Sequence, residues 1–250
     1  MATKLSGRVD VGNLVRTPTF QRAQQAAAST VRHAAISLFY GAPGLGKTVA
    51  VRRFAESLEQ TKVVYLAAAG SPTLAAFARA LASELTGIQE LEREMLYSLT
   101  QMLREVLWTG VEVLVIVDEA QRLSLHHFEC LRDLHDHENA AFSLLLVGNH
   151  ETWTVIQQRP MLLDRILHRL HFEPLKAEEL CTFLPRYDVM YMNAAETVIA
   201  RVARAAMGQF RWLAMFTMLA RDALQRASRD TVDDNIVDAV LLLMARSEAA

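Results

Sequence analysis

The stretch FYGAPGLGKTVAVRRF holds residues that can do phosphate chemistry. Gly41, Gly46, Lys47 and Thr48 stand in the spacing G-x-x-x-x-G-K-T, directly after an apolar run and at the start of a helical pattern, which is the context such a loop requires. The glycines Gly41, Gly44 and Gly46 let backbone approach a ligand where a Cβ would block it. The segment Gly41, Ala42, Pro43, Gly44, Leu45, Gly46, Lys47, Thr48, Val49 can then wrap phosphate oxygens with N–H groups, helped by the N-terminus of the following helix. Lys47 reaches the β- and γ-phosphates of a nucleotide, and the Thr48 hydroxyl serves Mg²⁺.

A second constellation lies at VLVIVDEAQR, where an apolar run ends in the adjacent carboxylates Asp118 and Glu119. Two charges at the end of a buried strand are unfavourable unless something there needs them. Beside a phosphate loop the need is plain: Asp118 holds Mg²⁺, and Glu119 orients and polarises the water that attacks the γ-phosphate. Asn149, ending the run LLLVGN, offers an amide to the same water or phosphate. In GQFRWLAMF, Arg211 offers a fork suited to phosphate.

Parallel strands whose carboxyl ends share one edge would position these residues. Apolar runs at 35–40, 62–68, 111–117, 142–147 and 169–173 read as strands. Helical patterns at 46–59, 73–86, 90–108 and 124–137 separate them. Continuous apolar strands alternating with helices predict an α/β fold with a parallel sheet covered on both faces. After Pro174 only helices are expected, at 176–185, 193–206, 209–226 and 232–246, with Thr231 as N-cap of the last. The predicted division is therefore an N-terminal arm or helix at 1–33, an α/β nucleotide-binding core at 34–173, and a small helical lid at 174–250. With the fourth of these helices reaching 246 of 250 residues, no further DNA-reading domain is expected after it.

Composition bounds the rest. The 250 residues are 52 % apolar and 22 % charged, a globular balance. No apolar run reaches the roughly 18 residues of a membrane span, and the start lacks a secretory signal. Two distant cysteines, Cys130 and Cys181, exclude a disulfide framework and point to a reducing, cytoplasmic compartment. The net charge of −2 excludes a globally basic DNA binder, although Lys4, Arg8, Arg16, Arg22 and Arg32 oppose only Asp10 in the first forty residues. His126, His127, His135 and His137 crowd one helix but lack a ligand pattern, so they are expected to flank its core stripe. Ser71-Pro72 is expected to cap the following helix.

Together these motifs resemble the AAA+ ATPases. GAPGLGKT is similar to Walker A, VLVIVDEA to Walker B, Asn149 to sensor 1 and GQFR to the sensor 2 of a helical lid. The resemblance implies a five-stranded parallel sheet in the order 5-1-4-3-2 and ATP bound at a subunit interface. It also implies an arginine supplied in trans to a neighbour's γ-phosphate. In QQRPMLLDRILHRLHFEPL, Arg165 is the first choice and Arg169 the second, with Arg159 nearby. At a finer level, DEAQRLSLHHFECLRDLHD and RILHRLHFEPL resemble the transposition ATPases of the TniB, TnsC and MuB type. That likeness implies a homo-oligomeric ring or filament on double-stranded DNA and a DDE-type transposase as partner. It also implies that Ser71, Thr73, Arg79 and Arg104 face the DNA, the alternative to a plain Ser71-Pro72 cap. Secretion ATPases of the ExeA type carry similar text, and a helicase loader or signalling module that binds no DNA is a third reading.

Overall fold

In a computed structural model, residues 15–89, 91, 96–108 and 112–248 are described. Five strands, β1 (Ile36–Gly41), β2 (Lys62–Ala67), β3 (Val113–Asp118), β4 (Phe142–Gly148) and β5 (Ile166–Phe172), form one sheet in the order β2-β3-β4-β1-β5. Every pairing is parallel. This is the fold class and the strand order that the resemblance implied. β3 and β4 are buried along their whole length, as central strands must be, whereas the edge strands β2 and β5 expose some positions.

Alternation along the strands divides the core into two layers. Leu114 and Ile116 of β3, Leu145 and Val147 of β4 and Phe39 of β1 pack with α1 (Pro18–Arg32) and α2 (Lys47–Glu56). Val113, Val115, Val117, Leu144, Leu146 and Leu38 face the opposite way. They pack with α3 (Leu74–Thr86), α4 (Leu96–Leu107), α5 (Leu125–His135), α6 (His150–Gln157) and α7 (Pro160–Leu163). The buried Thr30 hydroxyl of α1 meets the Ser37 hydroxyl at 2.7 Å, and Ser143 Oγ donates to Thr30 O at 3.2 Å. These bonds satisfy polar groups that burial would otherwise penalise.

Packing divides the chain into two compact units, Pro18–Glu173 and the residues from Pro174 onward with Val15–Thr17. Helix α1 thus belongs to the sheet's own layer, and its exposed Arg22 and Arg32 lie on a packed helix and not on a solvated arm. Lys4, Arg8 and Asp10 fall outside the described residues, as do residues 90 and 92–95 of the helix expected at 90–108. The second unit holds α8 (Ala177–Tyr187), α9 (Glu196–Ala206), α10 (Phe210–Ala227) and α11 (Asp234–Glu248). Its centre is Tyr191, fully buried, whose hydroxyl meets Thr217 Oγ1 at 3.0 Å.

Several local expectations need correction. The short helices α6 and α7 were not expected, because eight and four residues carry too little periodicity. The N-cap of α11 is Asp233, which accepts from Ile236 N at 2.9 Å, and not Thr231. Helix α3 is capped by Thr73, accepting from Ala76 N, and not by Ser71-Pro72. His127 does not flank its helix. It is 2 % exposed, closes a capping box with Ser124, and meets the Phe77 ring edge-on.

Gly208, with φ +75°, starts the turn into α10, and a Cβ there would lie 2.6 Å from the backbone of Leu175. Neither the conformation nor the space admits a side chain. Gly208→Ala is expected to destabilise the helical unit by more than about 1 kcal/mol, read as a lowered denaturation midpoint; an unchanged midpoint would contradict this packing.

Candidate functional site

The turn between β1 and α2 is built on close approach. Gly41 has φ +146°, and a Cβ there would meet the Phe172 carbonyl of β5 at 2.3 Å. Gly46 is the N-cap of α2, and no side chain caps that end. The N–H groups of the first turn are thus left to a ligand, the arrangement that binds anions at helix N-termini. Lys47 Nζ donates to Gly41 O and Ala42 O, each at 2.8 Å, so the loop folds back over its own lysine.

Parallel pairing carries the other residues to the same edge. Tyr40 of β1 lies level with Gly148 of β4, and Ala67 of β2 with Asp118 of β3. Thr48 and Asp118, seventy positions apart, are in contact: Thr48 Oγ1 donates to Asp118 Oδ2 at 2.9 Å. Tyr65 of β2 donates its hydroxyl to the same Oδ2, and Glu119 N–H donates to Oδ1 at 2.9 Å. Asp118 is 6 % exposed, so these donors offset the burial of its carboxylate. Thr48 and Asp118 present hard oxygens side by side, a donor pair that suits Mg²⁺.

Glu119 follows with φ +58°, a left-handed conformation that costs a non-glycine residue on the order of 1 kcal/mol or more. The distortion ends the strand and begins a 3₁₀ turn, Ala120–Arg122. The Glu119 side chain remains about half exposed at the site, where Gln121 Nε2 donates to its Oε2 at 2.6 Å. The Gln121 Oε1 accepts from Asn149 N at 3.2 Å. Asn149 caps α6: its Oδ1 accepts from Glu151 N at 2.8 Å, which fixes Nδ2 as the donor end of the amide. Beyond it, the Tyr40 ring stacks between Trp153 and His171, bracing α6 against β1 and β5.

Arg159, Arg165 and Arg169, of the same unit, do not join this cluster. Arg165 Nε pairs with Asp136 Oδ1 at 2.9 Å, immediately before β5, and Arg169 lies in β5 with its guanidinium 5.9 Å over the Trp153 ring. Arg159 is exposed at the N-cap of α7. Arg211 is exposed in the first turn of α10, in the helical unit. Of the set considered for DNA, Thr73 is engaged in its cap, Arg79 Nε donates to Leu91 O, and Arg104 lies over Trp108. Ser71 is exposed.

Two site residues carry no motif. Tyr65 sits inside the apolar run KVVYLAA, where a polar-tipped ring is an interruption, and Gln121 lies two residues beyond Glu119. Burial, and then the neighbouring Asp118 carboxylate, push the Tyr65 phenol far above its ordinary value; the Arg52 guanidinium, 4.8 Å over its ring, opposes this only in part. Among the described residues no group of three or more His, Cys, Asp or Glu could hold a metal, and no helix is long and apolar enough to cross a membrane.

The sequence profile of the family described as AAA domain matches residues 30–156, just over half of the chain. No curated protein matches. Among solved structures, Cdc6p from Pyrobaculum aerophilum is 16 % identical with a TM-score of 0.74, over 92 % of this chain and 68 % of that one. The Aeropyrum pernix ORC1 protein in complex with DNA is 19 % identical, with a TM-score of 0.70 over 93 % and 66 %. The Thermotoga maritima RuvB Holliday junction branch migration motor is 17 % identical, with a TM-score of 0.60 over 90 % and 68 %. At these identities the likeness is one of fold.

The Tyr65 hydroxyl should stay protonated through the ordinary tyrosine range near pH ~10, because its charged form is both desolvated and repelled. Alkaline ultraviolet titration of the folded wild type and Tyr65→Phe should give equal phenolate absorbance at that pH. An excess in the wild type would disprove the contact.

Proposed function

This chain belongs to the AAA domain family of ATPases, and from that premise we propose that it is a Mg²⁺-dependent, ATP-driven regulator of transposition. In this reading ATP binds at a subunit interface, the protein assembles on double-stranded DNA as a ring or filament, and it recruits or activates a DDE-type transposase in the cytoplasm. Hydrolysis then takes the assembly apart.

The observation that carries the ATPase reading is the convergence of Thr48, Asp118, Glu119 and Asn149 at the carboxyl ends of β1, β3 and β4. Mg²⁺, held by Thr48 and Asp118 when bound, neutralises charge on the phosphates. The N–H groups at the start of α2 and Lys47 bind the phosphate oxygens. Glu119 accepts the proton of the attacking water, and Asn149 Nδ2 donates to that water or to the γ-phosphate. Arg211 of the helical unit contributes a fork to the nucleotide.

Arg165 and Arg169 serve a neighbouring subunit's nucleotide in this proposal. Each is held at the β5 edge of the sheet, Arg165 by Asp136 and Arg169 over Trp153, and neither takes part in the cluster around Asp118. The DNA reading draws on relatives of like fold, of which one is the Aeropyrum pernix ORC1 protein in complex with DNA and another is Drosophila ORC bound to DNA. The transposition reading draws on the text DEAQRLSLHHFECLRDLHD and RILHRLHFEPL.

Glu119→Gln should keep nucleotide affinity while steady-state turnover falls by about 10²–10⁴, since an amide cannot accept the proton. Lys47→Ala should instead weaken ATP binding itself, measured with a fluorescent analogue. Unchanged turnover in the first variant would remove Glu119 from the mechanism. With a non-hydrolysable analogue and duplex DNA, electron micrographs should show rings or filaments, and retention on DNA should fall steeply with salt. Monomers alone, with no retention, would sink the assembly proposal.

A further inference from the structure

Gln121 makes two hydrogen bonds to two different elements of the site. Its Nε2 donates to Glu119 Oε2 at 2.6 Å, and its Oε1 accepts from Asn149 N at 3.2 Å. One side chain thereby joins the carboxylate that follows β3 to the backbone that ends β4. We propose that Gln121 is a positioning residue for hydrolysis, anchoring Glu119 Oε2 so that Oε1 is the oxygen turned to water. The inference rests on the reading of Glu119 as the base.

Three observations carry it. Both polar contacts on the Glu119 carboxylate, from Gln121 Nε2 and from Arg122 Nε at 3.9 Å, fall on Oε2; Oε1 has no hydrogen-bond partner among the described residues. An anchored oxygen beside a free one is the geometry of a base oriented by a third group. Second, the Glu119 side chain is 47 % exposed, so packing alone does not hold its carboxylate in one rotamer. Third, the backbone is shaped for the bridge. The left-handed Glu119 and the 3₁₀ turn after it, with Arg122 N bonded to Glu119 O at 3.0 Å, fold Gln121 back over the carboxylate.

The far end of the bridge is equally constrained. Gly148 leaves room for it: a Cβ there would stand 3.2 Å from Gln121 Oε1 and 2.0 Å from Thr152 Oγ1. The partners also settle the direction of the amide, because only Nε2 can donate to a carboxylate and only Oε1 can accept from an N–H. A shift at the end of β4, at Asn149, would therefore reach Glu119 through the Gln121 side chain.

The test uses the full 250-residue chain with Gln121→Met, which keeps length and removes both hydrogen bonds. Gln121→Glu keeps the shape and removes the donor, and it serves as a second variant should the first fail to fold. Single-turnover hydrolysis should fall by roughly 10–100-fold in each, the scale of a misplaced catalytic group. Affinity for a non-hydrolysable ATP analogue should stay within about 2-fold. In the Glu119→Gln background, Gln121→Met should change the residual rate by less than about 2-fold, because its effect passes through the missing carboxylate. An unchanged rate in the single variants, a parallel loss of nucleotide affinity, or an equal loss in both backgrounds would each overturn the proposal. Should Glu119→Gln itself hydrolyse at the wild-type rate, the base reading fails, and that result is distinguishable because it is obtained with Gln121 intact.

Discussion

Asp118 is a carboxylate at the end of a strand that is buried along its whole length, and the site is arranged around the cost of that burial. Left without partners, such a group would forfeit several kcal/mol of hydration. Its three donors come from three places in the chain: the Thr48 hydroxyl at the start of α2, the Tyr65 hydroxyl in β2 and the Glu119 N–H after β3. They meet only because β2 pairs with β3 in parallel and because the loop after β1 opens at the same edge. The phosphate-binding turn and the acidic pair are in this sense one hydrogen-bonded unit.

The two-layer core makes that edge rigid. Strands β3 and β4 send alternate apolar side chains into opposite layers, so a slip of one residue would turn the whole set around. A fixed register can hold a strained residue such as the left-handed Glu119, since the surrounding bonds over-determine it. The chemistry is then left to groups at the rim: a half-exposed glutamate, the amide of Asn149, and helix N–H groups without a side-chain cap.

The helical unit obeys different rules. It centres on aromatic and aliphatic side chains and on the hydroxyl pair of Tyr191 with Thr217. Its buried Asp188, 3 % exposed, accepts hydrogen bonds from Met190 N–H and from the Arg221 guanidinium, so its charge is paired within the unit. The histidine-rich helix of the α/β unit shows the same economy. His127 works as a cap and a packing ring, and His135 hydrogen-bonds the Ala34 carbonyl, while burial lowers its affinity for a proton.

By itself the sequence determined what depends on local pattern. Fixed spacing marked the phosphate turn and Asp118–Glu119, and short, mostly apolar runs marked four strands, with RLHFE marking part of the fifth; their parallel arrangement follows from intervening helices. Hydrophobic periodicity also placed most of the helices to within a few residues. Tertiary structure decided what depends on neighbours distant in the chain. The Tyr65 hydroxyl interrupts its apolar run without an evident partner until β2 lies beside β3, and Gln121 reads as an ordinary polar residue until β4 brings Asn149 to it. His127 departs from its expected flanking place for the same reason: exposure is set by what packs over a helix face, here the Phe77 ring of α3. Caps such as Thr73 and Asp233 were displaced by two residues because several adjacent side chains could serve, and the packed helix chose among them. Spacing along a chain names the groups that can react, and the contacts made on folding decide which of them are held in place to do so.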